Sequence, residues 1–272
     1  MKQKKSVKLV VSDIDGTIIK KGEPFPQVVK QAVKVLEEKG IGFTFASGRL
    51  PYMITPYMEE LGLSHMPVCA CNGTLLYCGE KILEAHLMPI GLLRELIEEA
   101  LNLDMTVLYA VDGKEYCAIE NDAVRRKRQE RGSYHPIRPL TGEDWGQLAV
   151  NKVNILDDKK RADYLLPYEK KLESACHITH YGSFGLEIVA AGYGKEYGLV
   201  RLSQELKVPM DQILAIGDNE NDDGMLTLAG IGAAVGNAEP KTKACADLVA
   251  EGQSGEGVAE IIYKVLERNR LL

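Results

Sequence analysis

Two aspartates stand two positions apart in Asp13-Ile14-Asp15-Gly16-Thr17, directly after the β-branched run Val7 to Ser12. Side chains two apart on an extended chain point the same way, so Asp13 and Asp15 can face one site. Paired carboxylates can hold a hard cation, move a proton or act as a nucleophile. An Asp-Gly turn closing a strand is the plain alternative. A second cluster, Ser47-Gly48-Arg49, follows the apolar run Ile41 to Ala46. Its hydroxyl and glycine N–H groups suit a phosphate oxygen, although an ordinary turn uses the same residues. A third, Gly192-Tyr193-Gly194-Lys195, leads into a helical pattern where a lysine can meet a phosphate or simply be solvated. It is not a Walker loop, because Val189 stands at the first glycine position and Glu196 replaces the Ser/Thr. The fourth, Gly217-Asp218-Asn219-Glu220-Asn221-Asp222, follows Ile213 to Ile216 and reads as a hard-cation loop. A calcium EF-hand fails there, since Asp223 stands where its glycine belongs and Ala229 where its bidentate glutamate belongs.

The surrounding pattern must bring these clusters together. Val7 to Ser12, Ile41 to Ala46 and Val68 to Cys71 read as buried strands of a parallel sheet. Between them, Val28, Val29, Ala32, Val33 and Leu36 fall at helical spacing after Pro26, with Gly40 as the stop. Pro51 starts a second helix that ends near Gly62, and Asn72-Gly73 marks a hairpin turn. From Lys195 the strand–helix alternation resumes, with strands at Ile213 to Ile216 and Ile231 to Val235 and a last helix from Gly257. The predicted fold class is α/β: a doubly wound parallel sheet spanning 1–82 and 191–272. Ligands bind such sheets at the carboxyl ends of the strands, where the four clusters lie.

The rhythm differs between about Leu83 and Ala190. Helices are predicted at Ile90 to Leu101, Asp122 to Arg131 and Lys159 to Ser174. Strands are predicted at Met105 to Ala110, Glu115 to Ile119, Val150 to Leu156, His177 to Tyr181 and Gly185 to Val189. Paired strands with helices predict a separate α+β unit, 83–190, inserted into the core. The run Arg125-Arg126-Lys127-Arg128-Gln129-Glu130-Arg131 is either a solvated helix face or a cationic surface favouring polyanions.

Composition narrows the classes. The chain has 272 residues, 45% hydrophobic and 26% charged, which fits folded globular domains and excludes a disordered chain. A formal net charge of −6 gives no support to nucleic-acid binding. Basic Met1-Lys2-Gln3-Lys4-Lys5 is followed by an apolar run that Asp13 interrupts, so no signal peptide is predicted. No run reaches the roughly 20 apolar residues of a membrane span. The expectation is a cytoplasmic protein with no membrane or nucleic-acid partner. Six cysteines form no CxxC pair or zinc spacing and read as buried thiols, with Cys71 near the site as a candidate for redox control.

Taken together, these clusters resemble the motifs of the haloacid dehalogenase superfamily of phosphatases, and within it the Cof-type family of bacterial sugar-phosphate phosphatases. The resemblance covers nearly the whole chain. Asp13-Ile14-Asp15-Gly16-Thr17, Ser47-Gly48-Arg49, Lys195 and Gly217-Asp218 with Asn221-Asp222 stand at the four motifs. Asn72-Gly73, Met225-Leu226, Gly236-Asn237-Ala238 and Gly257-Val258 also fall at family positions. Tyr193 and Glu196 around Lys195 depart from the usual pattern.

The resemblance implies a Mg²⁺-dependent phosphatase acting on a small phosphorylated metabolite, with 83–190 as a cap that sets specificity. Asp13 is implied as nucleophile, forming an aspartyl-phosphate. Asp15 is implied as the acid that protonates the leaving alkoxide and the base that then activates water. Mg²⁺ would be held by Asp13, Asp218 and the backbone carbonyl of Asp15. Ser47, Lys195 and Asn221 would hold phosphoryl oxygens, with backbone N–H groups near Ile14 and Gly48. Asp222 would orient Lys195 or a metal-bound water. A phosphomutase with the same motifs, or a regulatory binding protein on this scaffold, are the competing functions. Free phosphate release separates the mutase, and dependence of turnover on Mg²⁺ separates the binding protein.

Overall fold

A computed structural model describes residues 6–20, 22–132 and 134–268; the basic Met1–Lys5 segment lies outside them. The chain divides into two compact units, one running to Glu84 and resuming at Gly194, the other spanning Ala85–Tyr193.

The first unit is built on a five-stranded sheet in the order Leu248–Val249, Ile231–Ala234, Ile213–Gly217, Leu9–Ser12, Gly42–Phe45. Every neighbouring pair is parallel. Leu9–Ser12 is an interior strand, buried along its whole length, as expected of a strand covered on both faces. Ser12 pairs with Phe45 on one side and Ile216 on the other. The residues that follow therefore emerge side by side at the carboxyl edge. Val68–Ala70 continues this edge through a parallel bridge from Cys69 to Ala46. It turns back as the antiparallel strand Leu75–Cys78.

The helices follow their apolar spacing. Gln27–Glu38 buries Val29, Ala32, Val33 and Leu36, with Pro26 at its N-cap. Lys195–Leu206 buries Leu199 and Leu202 in one core with Leu9, Val11, Ile213, Ala215, Met225 and Leu226. Truncating one such leucine to alanine costs about 2–5 kcal/mol. That core fixes the helix whose first residue is Lys195. The last helix, Ser254–Arg268, begins three residues earlier than its sequence pattern indicates. Pro240–Cys245 and the two-residue strand Leu248–Val249 carry too few periodic residues to be read from sequence.

The second unit holds an antiparallel sheet in the order Cys176–His180, Gly185–Ala190, Lys152–Leu156, Thr106–Val111, Lys114–Cys117. Strand alternation sends Val107, Tyr109, Val153, Ile155, Leu186 and Ile188 into an apolar core with Leu93, Leu96 and Ile97. Lys152, Asn154 and Glu187 occupy intervening positions and are also buried. Lys152 Nζ donates to Glu187 Oε2 at 2.9 Å. The predicted helix Lys159 to Ser174 is absent. Pro167 has no N–H and clashes with the preceding turn, so a short 3-10 turn, Ala162–Leu165, gives way to one turn at Leu166–Glu169. Helix Asp122–Arg131 forms where predicted, capped by Asn121, whose side chain accepts from Val124 N. Its cations face acids: Arg125 meets Asp122, Arg126 meets Asp158 and Arg128 meets Glu120. These pairings neutralise much of the charge that a polyanion-binding face would need.

Candidate active site

Asp13 leaves the strand Leu9–Ser12 with its amide still donating to Ile216 O at 2.9 Å. Asp218 follows the neighbouring strand Ile213–Gly217. Parallel register therefore puts these carboxylates beside one another at the carboxyl edge. Between Asp13 and Asp222 sits Lys195, with Nζ 2.7 Å from Asp13 Oδ1 and 2.7 Å from Asp222 Oδ1. All three are buried: Lys195 is 2% exposed, Asp13 4% and Asp222 0%. The other oxygen of Asp222 accepts the amides of Asp218 and Asn219 at 2.9 and 3.2 Å. Thr17 Oγ1 donates to Asp218 Oδ1 at 2.6 Å.

One ammonium thus directly pairs with two of three clustered carboxylates. Burial is the largest influence on Asp13, pushing its carboxyl up to about 7, with Lys195 opposing and Asp222 and Asp218 adding. Asp218 is pushed up to about 6, again chiefly by burial, with the Thr17 hydroxyl opposing. Burial acts to lower Lys195, but Asp13 and Asp222 outweigh it and hold the ammonium above the ordinary lysine value. The remaining surplus of negative charge is what a divalent cation relieves. Oxygens of Asp13, Asp218 and Asp222 lie within 4.8 Å of one another, and carboxylate oxygens are the donors that hard cations take. The residues fit such an ion. Asp222 already engages both its oxygens in hydrogen bonds, so Asp13 and Asp218 are the better-placed donors.

The glycines make this closeness possible. Gly16 has φ +86°, and a Cβ there would sit 2.3 Å from Asp218 Oδ2. Gly73 has φ +94°, and its Cβ would meet Gly194 O at 2.0 Å, immediately before Lys195. Only a residue without Cβ lets the Asn72-Gly73 turn press against the start of that helix.

The other predicted residues lie around this centre. Ser47 is buried, with its amide donating to Cys69 O and its carbonyl accepting from Asn72 N, each at 3.0 Å. Its Oγ accepts from Arg49 N at 3.2 Å. Gly48 follows Ser47 and is half-buried. Ile14 is buried, and its carbonyl accepts the amides of Ile18 and Ile19 as the chain turns. Asn221 Nδ2 donates to Asn72 Oδ1 at 3.2 Å. Asp15 is held by a different partner: its side chain is 60% exposed and both its oxygens accept from Arg49. Cys71 and Cys69 are fully buried, and burial pushes the Cys69 thiol up to about 12, so neither side chain is exposed to solvent.

Several supporting residues carry no role in the sequence reading. Thr17, Asn72 and Arg49 lie inside quoted motifs, but their partners depend on tertiary approach. Asn237 Nδ2 and Ser254 Oγ both donate to Gly16 O, at 2.9 and 3.0 Å, and Asn237 Oδ1 accepts Ser254 N at 2.6 Å. This pair anchors the turn after Asp13 from the far end of the chain. Asn237 was visible in its Gly-Asn-Ala motif; Ser254 had no local signal.

The chain is similar to proteins of one family over nearly its whole length. Residues 10–262 match the family described as haloacid dehalogenase-like hydrolase. The chain is 26% identical over 273 residues to the pyridoxal phosphate phosphatase YbhA of Escherichia coli, covering 96% of this chain and 99% of that protein. It is 25% identical over 256 residues to the 5-amino-6-(5-phospho-D-ribitylamino)uracil phosphatase YcsE of Bacillus subtilis, covering 94% of each. Its fold matches the haloacid dehalogenase subclass IIB sugar phosphatase BT4131 with a TM-score of 0.80 at 19% identity, over 95% of this chain and 98% of that one.

Proposed function

The chain belongs to the family of haloacid dehalogenase-like hydrolases and is a phosphoric monoester hydrolase; on that premise we propose a Mg²⁺-dependent phosphatase of small phosphorylated metabolites, sugar phosphates first among them. The observation that carries this reading is the buried Lys195 ammonium, 2.7 Å from both Asp13 and Asp222 beside Asp218. It supports a reading in which Asp13 is the nucleophile, Lys195 the cation for phosphoryl oxygens, and Asp13 with Asp218 the hard-ion donors.

An Asp13 carboxylate oxygen attacks phosphorus, and the bond from phosphorus to the ester oxygen breaks. The leaving oxygen takes the proton carried by Asp15. A water then gives its proton to Asp15 and its oxygen to phosphorus. The bond from phosphorus to Asp13 breaks, releasing inorganic phosphate and restoring the carboxylate. Lys195, Ser47 and Asn221, with the N–H groups of Ile14 and Gly48, hold the phosphoryl oxygens, while Asp222 fixes Lys195. Asp13, Asp218 and the Asp15 carbonyl would hold Mg²⁺, whose charge would offset repulsion between the carboxylate and the phosphoryl group. The inserted unit, Ala85–Tyr193, is assigned the selection of substrate. Two relatives are named for phosphorylated small metabolites, which supports that substrate class here.

Phosphate release should be measured over sugar phosphates, pyridoxal phosphate, nucleotides and flavin mononucleotide. Turnover is expected on small phosphate esters, lost in EDTA and restored by Mg²⁺. Undiminished turnover in EDTA, or rearranged product without free phosphate, overturns the reading. Gly16→Ala tests the packing beneath it. The new methyl displaces the Asp218 carboxylate, so the half-saturating Mg²⁺ concentration should rise and kcat fall, by about 100-fold for a displacement near 1 Å. An unchanged Mg²⁺ titration would show that Asp218 is not constrained by this contact.

A further inference from the structure

Both carboxylate oxygens of Asp15 accept from a single guanidinium. Arg49 Nε donates to Oδ2 at 2.7 Å and Nη2 to Oδ1 at 2.6 Å. The two side chains differ in how they are held. That of Asp15 is 60% exposed, that of Arg49 only 16%. Arg49 Nη1 donates to Tyr57 OH at 3.0 Å, and the guanidinium lies 5.4 Å from the centre of that ring. Tyr57 stands on helix Pro51–Glu60 and packs on Phe25 at 5.3 Å, which meets Phe45 of the parallel sheet at 6.4 Å. A run of packed rings thus connects the sheet to Arg49, and Arg49 to Asp15. The guanidinium is the fixed member and the carboxylate the member that would otherwise turn among rotamers.

We propose that Arg49 is a positioning residue that aims the Asp15 carboxyl group at the leaving oxygen and then at the hydrolytic water. The inference rests on the acid–base reading of Asp15 given above. A bidentate fork fixes the plane of a carboxylate as well as its distance, which a lysine ammonium cannot do. All three donor nitrogens of Arg49 are engaged with protein, two on Asp15 and one on Tyr57. Arg49 therefore acts through Asp15. It is not assigned a direct contact with substrate.

A double-mutant cycle tests this. Arg49→Lys, Asp15→Asn and the double variant are compared in single turnovers with p-nitrophenyl phosphate and β-glycerophosphate. Arg49→Lys is expected to lower the rate at saturation about 10- to 100-fold, with KM little changed. The loss should be larger for β-glycerophosphate, whose alkoxide needs the proton more. In the Asp15→Asn background the same change should have no further effect. Tyr57→Phe, which removes only the acceptor behind Arg49, should act in the same direction and also vanish in that background. Equal losses in both backgrounds, or a raised KM with an unchanged rate, would overturn the inference. Turnover surviving in Asp13→Asn would instead remove the reading on which it rests.

Discussion

Asp13→Asn is expected to reduce phosphate release to a trace while the protein melts at or slightly above its native temperature. The substitution keeps shape and one oxygen acceptor for Lys195, so the 2.7 Å contact survives as a weaker hydrogen bond. Burial already pushes the Asp13 carboxyl up to about 7, so a neutral side chain there removes a desolvation cost. Chemistry has no such substitute, because an amide oxygen does not displace an alkoxide from phosphorus at neutral pH. A loss of at least about a thousandfold in kcat corresponds to about 4 kcal/mol of barrier. Phosphate assay and thermal melting on one preparation separate the two effects. More than trace turnover in a correctly folded variant would sink the covalent mechanism.

Lys195→Met should damage both activity and stability. The methionine fills similar volume but leaves Asp13 and Asp222 buried without the cation they share. Removing one partner of a buried ion pair costs about 3–5 kcal/mol, because the remaining charge is uncompensated. Turnover should fall by about 100-fold or more, since a preorganised cation facing the phosphoryl oxygens is lost. The two losses can be pulled apart. Adding Asp222→Asn removes one stranded carboxylate and should recover part of the melting temperature without recovering kcat. If Lys195→Met melts like the native protein, the buried cluster is not holding the strand edge together. If the double variant regains turnover, Lys195 is not a phosphoryl contact.

These outcomes depend on an arrangement only partly legible in the sequence. Asp13 and Asp218 could be placed because each ends an apolar strand, and parallel strands deliver their carboxyl ends to one edge. Lys195 could be placed because it opens an amphipathic helix. The partners of Asp15 could not, since its contact with Arg49 spans 34 positions and depends on Tyr57 in a later helix. The anchoring of Gly16 O reaches Asn237 and Ser254, 221 and 238 positions away, and no local pattern encodes that approach. Periodicity also failed where one residue overrode it. Lys159 to Ser174 has helical spacing, but Pro167 removes an amide and breaks the run. In the inserted sheet, alternation separates Val153 and Ile155 from Lys152 and Asn154. The register with Gly185–Ala190 sets Asn154 opposite Glu187 and so brings Lys152, two residues along the same face, within 2.9 Å of that carboxylate.

The proposed mechanism requires Asp13 to become phosphorylated. A single turnover with a slowly hydrolysed phosphate ester, quenched in acid during the reaction and followed by peptide mass mapping, observes this directly. A phosphoryl group is expected on the peptide containing Asp13, rising and then decaying as inorganic phosphate appears, and missing in Asp13→Asn. Phosphate produced at the full rate with no phosphorylated Asp13 at any time would contradict it.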